Sequence, residues 1–296
     1  MSGAREMTPA RLVRRLGFWL AAIALALWSL APVYWIVVSS ISTRIELYSV
    51  PYKHWIPRAP TLQNYVDVFT TGPKYRAGGF LPSATLLYSG VRNSLLVALL
   101  AAACLSLLAS LAGYAFARLN FRGRSFLFFM MLLLVPLPVW VSLIALFQLM
   151  SVLGLIDTRL GLILLFVSYG APLYVWLMQT YIRATPRDIE EAALIDGASR
   201  FRALRTVVLP VTLPGLVSVF LVAFLTVWNA FLIPLIFTNS EAAQPLTVVL
   251  SLFIGQYEVA WEAMSAAAVV TMIPPILMAL FFQRYVVRGL ALGAVQ

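Results

Sequence analysis

The residues that could do chemistry are few, and they are gathered in one place. Four carboxylates, Asp188, Glu190, Glu191 and Asp196, lie inside the short stretch "DIEEAALID". Hydrolytic or transfer chemistry needs a nucleophile with a base, a metal site or paired carboxylates, so this cluster has to be weighed. The single histidine, His54, falls in a polar loop, and the single cysteine, Cys104, falls inside an apolar run. One cysteine allows neither an intrachain disulfide nor a thiolate metal site, and Cys104 reads as a small packing residue. Serines and threonines are plentiful in the apolar runs, yet no histidine or carboxylate stands beside them there to act as a base. The chain has no GxxxxGK[ST] phosphate loop, so it cannot be its own ATPase. These absences argue against an enzyme, and the carboxylate cluster is better explained as a helix start with a docking face.

The elements around that cluster must live in lipid. Hydrophobic residues make up 62% of the 296, charged residues only 11%, and the mean hydropathy is +0.92. A water-soluble domain carries about 25% charged residues. A membrane helix needs about 20 consecutive apolar residues, and six stretches reach that length without a charged residue or histidine: 17–39, 93–117, 125–150, 160–182, 211–237 and 263–283. The first is too long for the roughly 7–15-residue core of a cleaved signal and reads as a retained span. The expected fold is an all-α integral membrane protein of six transmembrane helices, one transmembrane domain over 1–296.

Orientation follows from the connections. With the N-terminus inside, the internal segments hold 14 of the 21 Lys and Arg residues and the external ones 7. The loop "RLNFRGR" (118–124) is a clear internal marker. Positive charge favours the cytoplasmic side, so both termini are expected there. The net charge of +10 therefore reads as membrane topology, since the basic residues flank apolar runs and form no stripe for nucleic acid. Prolines 136, 138, 172, 214, 234, 274 and 275 fall inside the spans, where each removes an amide donor and locally breaks the helix ladder.

The charged interruption 183–210 sits between spans four and five. Thr185-Pro186-Arg187-Asp188 reads as a helix start, with Thr185 as cap and Pro186 at the first position. Gly197 suits the left-handed residue that ends a helix. A second helix is expected from Ser199, with Phe201, Leu204 and Val208 lining one side and Arg202 and Arg205 pointing elsewhere. An interfacial helix with snorkelling arginines would explain 199–209. It does not explain 187–196, where small alanines lie beside carboxylates, a face suited to another protein.

The pattern Glu191-Ala192-Ala193, three residues, Gly197, nine residues, Val207, one residue, Leu209-Pro210 resembles the EAA loop of permease subunits of ABC importers. "LQNYVDVF", "NSLLVA", "WNAFLIPLIF" and "QRYVVRGLALGAVQ" are similar to the maltose-type carbohydrate-uptake branch, with Val207 where that family has Ile. The segment 72–90 matches nothing familiar. The resemblance implies a permease subunit forming half of a translocation pathway in the cytoplasmic (inner) membrane of a bacterium or archaeon. Its implied partners are a cytoplasmic ABC ATPase dimer, a second and non-identical permease subunit, an extracytoplasmic solute-binding protein and membrane lipid. No cofactor is implied in this chain; ATP and Mg would be bound by the ATPase. The implied ATPase-docking residues are Glu190, Glu191, Ala192, Ala193, Gly197, Leu209 and Pro210. Loop 238–262 is implied to meet the binding protein, and the tail 289–296 the ATPases. Uncharged polar and aromatic side chains suit a sugar, and Asn229, Trp228, Tyr169 and Gln148 are the candidates for its pathway. The rival reading is an ion-coupled secondary transporter. Such coupling commonly uses carboxylates or histidines within the spans, which are absent, although backbone carbonyls can hold sodium.

Overall fold

The computed structural model describes residues 9–49, 55–70, 74–76, 79–255 and 259–293; His54 and residues 294–296 of the tail lie outside them. In chain order the helices are α1 (Pro9–Ile41), α2 (Arg44–Tyr48) and α3 (Gln63–Thr70), followed by strands β1 (Lys74–Arg76) and β2 (Gly79–Leu81). Then come α4 (Ala84–Arg118), α5 (Arg124–Leu133), α6 (Leu143–Val152), α7 (Arg159–Ala184), α8 (Asp188–Ile195) and α9 (Arg200–Ala203). The chain closes with α10 (Leu209–Val211), α11 (Leu213–Trp228), α12 (Leu232–Phe237), α13 (Leu246–Ser251) and α14 (Trp261–Gly293). Among the described residues the regular structure is helical apart from an isolated bridge between Ile254 and Val259 and the antiparallel β1–β2 hairpin, which pairs Lys74 with Leu81 and falls inside the unplaced 72–90 segment.

Among the described residues four helices are long and apolar enough to cross a membrane, Arg14–Ile41, Ala84–Arg118, Arg159–Ala184 and Trp261–Tyr285. They contain expected spans one, two, four and six. The other two expected spans are not single helices. Span three divides into α5 and α6 around residues 134–142, with a 3-10 turn at Val139–Val141. Pro136 and Pro138 cause the break by removing two successive chances of a ladder hydrogen bond. One freed carbonyl, Leu137 O, accepts from the Tyr169 hydroxyl of α7 at 3.1 Å, the kind of partner a broken ladder needs away from water. Span five is α11 followed by α12, and its entry from Arg200–Val211 is bent by 80°. By contrast Pro172, Pro274 and Pro275 are accommodated inside α7 and α14.

One compact unit comprises residues 84–252 and 271–296. Its core is α4 against α7 and α11, and α4 meets them through a stripe of small buried residues: Ala98, Ala101, Ala102, Ala109, Gly113 and Ala117. Without a hydrophobic drive between helices in lipid, close approach of small residues supplies the packing energy. A Cβ on Gly113 would lie 3.0 Å from Gln179 N and 3.2 Å from Met178 Cβ of α7. The two helices run parallel, because bonds join their starts (Arg159 Nε to Asn93 Oδ1, 2.7 Å) and also their ends (Arg118 to Ile182 O, 2.9 Å). The chain between them must therefore return, and α5–α6 is the only segment available for that return.

The other unit comprises 1–83 and 253–270. Here α3 is seated on the end of α1: Asn64 donates to the carbonyls of Ser40 and Ser42, both at 2.9 Å, and Tyr65 shares a 2.8 Å hydrogen bond with Ser40. Those are the Asn-Tyr pair of "LQNYVDVF". Most of α1 is bare, with Trp28 81% exposed, as befits a helix solvated by lipid or a partner.

Packing at Gly113 gives a direct test. Gly113→Val is expected to destabilise the α4–α7 pair by about 1–3 kcal/mol, read as a lowered thermal midpoint of the detergent-solubilised protein, with Gly113→Ala falling between it and wild type. Equal midpoints for all three would contradict the close approach.

Candidate functional site

Thr185 closes α7 and does not open α8. Its amide donates to Ile182 O and its hydroxyl to Tyr181 O at 3.3 Å, and its extended backbone (φ −82°, ψ 134°) is what a following proline imposes. Helix α8 therefore starts at Asp188 with Arg187 before it and no side-chain cap, which corrects the expected capping arrangement. Asp188, Glu190 and Glu191 do occupy its first turn, where the helix dipole favours negative charge. At the other end Gly197 adopts φ +86°. The Ala198 amide donates to Ala193 O and the Gly197 amide to Leu194 O, at 3.0 and 3.1 Å, the paired bonds of a Schellman stop.

The two adjacent glutamates part company. Glu190 is only 5% exposed. Its Oε1 accepts from the Tyr114 hydroxyl at 2.6 Å, and its Oε2 lies 3.0 Å from Arg118 Nε, an ion pair without the alignment of a hydrogen bond. Arg118 also donates to Ile182 O (2.9 Å) and Thr185 O (2.7 Å), placing a cation on the carbonyl end of α7 where the dipole welcomes it. One guanidinium thus joins the ends of α4 and α7 to the start of α8. Glu190 is held inside the chain and does not face outward with the other expected docking residues. The opposite face of α8 is open: Glu191, Ala192 and Asp196 are exposed, Ile189 is 44% exposed and Ile195 85%. Ala193 is half-buried.

After Gly197 the chain forms an elbow. Ser199 caps α9, accepting from the Arg202 amide at 3.3 Å, and Leu204–Val208 then winds as a π-helix before α10. Leu204 and Val208 are buried, but Phe201, expected on the same side, is 66% exposed, because the wider turn keeps the 204–208 pair inward and leaves the preceding turn out of phase. Leu209 is half-buried and Pro210 exposed. Thr212 returns both its amide and hydroxyl to Val208 O, at 2.9 and 2.8 Å, at the 80° corner into α11. Gly215 lets α11 pass the Tyr181 ring of α7 at a distance no side chain would allow.

The proposed sugar-pathway residues are not assembled. Trp228 is 2% exposed and stacked on Phe224, centroids 5.7 Å apart, so it has no free ring face for a solute. Asn229 is exposed, but its amide donates to Leu225 O at 2.8 Å, finishing α11. Tyr169 serves the broken span, and Gln148 is exposed on α6.

At the opposite ends of α4 and α7 lies a second polar knot. Asn93 donates to Glu241 O and Gln244 O at 3.0 and 2.9 Å, and the Ser94 hydroxyl accepts from the Leu246 amide at 2.8 Å. Asp157, at φ 57°, accepts from the amides of Asn239 (2.8 Å) and Ser240 (3.0 Å). Burial opposes ionisation of Asp157, but the Ser240 hydroxyl and the two amides outweigh it and hold the carboxyl below its ordinary range. These bonds fix segment 237–246, so chain 238–262 begins as a fastened element; residues 256–258 lie outside the described ones.

Tyr114, Arg118 and Asp157 did not stand out in the sequence. A usable signal existed for two of them, since Tyr114 and Arg118 are one turn apart and continue the small-residue face of α4.

Comparison with known proteins agrees with this geometry. Residues 105–292 match the family described as "Binding-protein-dependent transport system inner membrane component". The chain is 34% identical over 277 residues to the sulfoquinovosyl glycerol transport system permease protein SmoH of Agrobacterium fabrum, covering 94% of this chain and 92% of that one. It is 33% identical to the trehalose/maltose transport system permease protein MalG of Thermococcus litoralis, covering 96% and 98%. A chain of the bacterial ABC transporter involved in import of the acidic polysaccharide alginate shares the fold, with TM-score 0.76, 20% identity and coverage of 95% and 99%.

Two outcomes follow from the knots. Glu190→Ala leaves Arg118 buried and unpaired and is expected to cost about 3–5 kcal/mol, read as loss of protease resistance in 183–200. The pair Arg118→Met/Glu190→Leu should recover part of it, and resistance equal to wild type in Glu190→Ala would refute the anchor. At Asp157, a depressed folded-state pKa gives stability that is present above the unfolded value of about 3.9. It is lost as pH falls through the folded value. Thermal stability of the wild type in nanodiscs should therefore drop more between about pH 6 and about pH 3 than that of Asp157→Asn.

Proposed function

The chain belongs to the binding-protein-dependent transport system inner membrane components, and from that premise we propose how this permease subunit is built into a sugar importer. It is a permease of an ABC importer and not an enzyme; ATP hydrolysis belongs to a separate ATPase. In the proposed arrangement it supplies half of the pathway, a related but non-identical permease supplies the other half, and an extracytoplasmic solute-binding protein delivers the substrate. The ATPase dimer binds ATP and Mg. The membrane is the cytoplasmic (inner) membrane of a bacterium or archaeon, with lipid around the spans.

Six spans with both termini in the cytoplasm fit the charge bias of the connections and the parallel course of α4 and α7. That course requires a return through broken span three, and the polar knots then mark the two membrane faces. Arg118 and Glu190 lie on the cytoplasmic one, Asn93 and Asp157 on the external one. The observation that carries the coupling role is the division of α8: Glu190 is tied inward to Arg118 while Ile189, Glu191, Ala192 and Ile195 stay open. In this reading the open face seats in a cleft of the ATPase. Ala192 permits close approach, Ile195 fills an apolar hollow, and Glu191 meets a basic group. Ala193 and Gly197 set the helix and its stop, and Leu209 and Pro210 belong to the elbow that passes motion to α11. ATP-driven closure of the ATPase dimer would move this segment and switch the pathway between inward- and outward-facing states. The named solutes of the relatives, sulfoquinovosyl glycerol and trehalose or maltose, support a glycoside or oligosaccharide as cargo.

Charge reversal tests the docking face. Glu191→Lys is expected to cut binding-protein-stimulated ATPase activity of the reconstituted importer by about tenfold, with normal membrane insertion and an intact 183–200 protease pattern. Full stimulation in Glu191→Lys would overturn the assignment.

A further inference from the structure

The unit formed by residues 1–83 and 253–270 encloses a cavity of about 480 Å³. Three aromatic side chains line it, Trp35 near the end of α1, Tyr48 of α2 and Trp261 at the start of α14, together with Ser39 and Ser265. Among the described residues no charged side chain lines it. The rings are held in place. Trp35 meets Trp55 edge to face with centroids 5.5 Å apart, and the Tyr48 hydroxyl donates to Val259 O at 2.6 Å.

The two serines are the telling feature. A helical serine commonly turns its hydroxyl back to the carbonyl one turn earlier, as Ser42 does to Val38 O at 2.7 Å. Ser39 and Ser265 are 3% and 8% exposed, yet neither hydroxyl has a hydrogen-bond partner among the described residues. Both line the same cavity between fixed aromatic rings, where their hydroxyls are open to a ligand. Flat rings beside hydroxyls, without charge, match a ligand with C–H-rich faces and neutral hydroxyl groups. An ion or an acidic sugar would ask for a counter-charge, and a lipid tail would gain nothing from the serines. The volume falls in the usual range for small-molecule sites, roughly 300–1,000 Å³. Another cavity, about 550 Å³ beside Phe201, Arg205 and Phe220, is almost wholly apolar and offers a sugar little to bond.

We propose that the Trp35–Tyr48–Trp261 cavity binds a neutral carbohydrate ring, with Trp261 and Tyr48 stacking on it and the Ser39 and Ser265 hydroxyls bonding its hydroxyl groups. The proposal rests on the carbohydrate reading above and names a site for it within this chain. In the proposed topology the cavity lies toward the external face, where sugar arrives.

The complete importer in nanodiscs provides the test. Uptake of radiolabelled maltose, trehalose, cellobiose and raffinose with the binding protein present establishes whether wild type carries any of them. Saturation-transfer NMR with the accepted sugar, without the binding protein, then reads the affinity of the membrane complex. Trp261→Ala is expected to weaken that affinity about tenfold and Ser265→Ala about fivefold, with Trp261→Phe retaining most of it. Trp28→Ala, on α1 outside the cavity, should match wild type. Normal uptake with unchanged affinity in both Trp261→Ala and Ser265→Ala would overturn the site and leave the carbohydrate reading standing. Uptake of none of the four sugars by wild type would count against both. Equal weakening in Trp28→Ala, or loss of a partner subunit from Trp261→Ala and Trp261→Phe alike, would reassign these residues to helix packing or a protein contact. If Trp261→Ala does not assemble, Ser265→Ala and Trp261→Phe still decide.

Discussion

A bilayer interior offers no water to hydrogen-bond, so each polar group placed there must find its partner within the protein. That constraint shapes this chain from end to end. It explains why charge is absent from all six apolar stretches and why it gathers in two knots at the ends of α4 and α7. It also governs the broken third span. The prolines at 136 and 138 open the ladder, and Tyr169 answers one of the freed carbonyls. A tyrosine that looked suited to stacking on a sugar is occupied with keeping a membrane helix breakable.

The same constraint makes the Arg118–Glu190 knot stiff. Arg118 cannot be left unpaired at 5% side-chain exposure, so it holds Glu190 and the last carbonyls of α7 together. A displacement applied to α8 is therefore not absorbed by a loose loop. It reaches α4 and α7 through the guanidinium, and reaches α11 through Leu204, Val208 and the Thr212 corner. Four polar side chains, Tyr114, Glu190, Arg118 and Thr212, are enough to connect a surface helix to the three helices that form the core of their unit.

Much of this was legible in the sequence because hydropathy and charge act over whole segments. The apolar stretches lie where the helices are, and the stop at Gly197 was readable because only a left-handed residue completes that turn. What stayed hidden depended on partners distant in sequence. Nothing near Glu190 says that it faces Tyr114 and Arg118, some seventy residues earlier, or that Trp228 stacks on Phe224 and not on a solute. Helix phase was hidden too: the π turn at 204–208 shifts Phe201 outward, and a regular 3.6-residue period could not show it. The length of the third span misled for a simpler reason. Composition records that residues tolerate lipid, not that they form one helix.

The proposed coupling helix has to meet two opposed requirements. It must present an adhesive, uncommitted surface to another protein, and it must be fixed well enough that pulling on that surface moves the membrane helices. Successive residues of an α-helix point about 100° apart, so neighbouring positions can serve opposite sides. Glu190 and Glu191 use that geometry, one buried against an arginine and the other exposed among small and aliphatic side chains. Were both exposed, the segment would hang from Pro186 and Gly197 alone and would flex when pulled. With both buried, no glutamate would remain on the open face, and a basic cleft would meet only the shorter Asp188 and Asp196 at the helix ends. The doubled glutamate is thus a division of labour, and the alanines after it keep the outer face low enough for close contact.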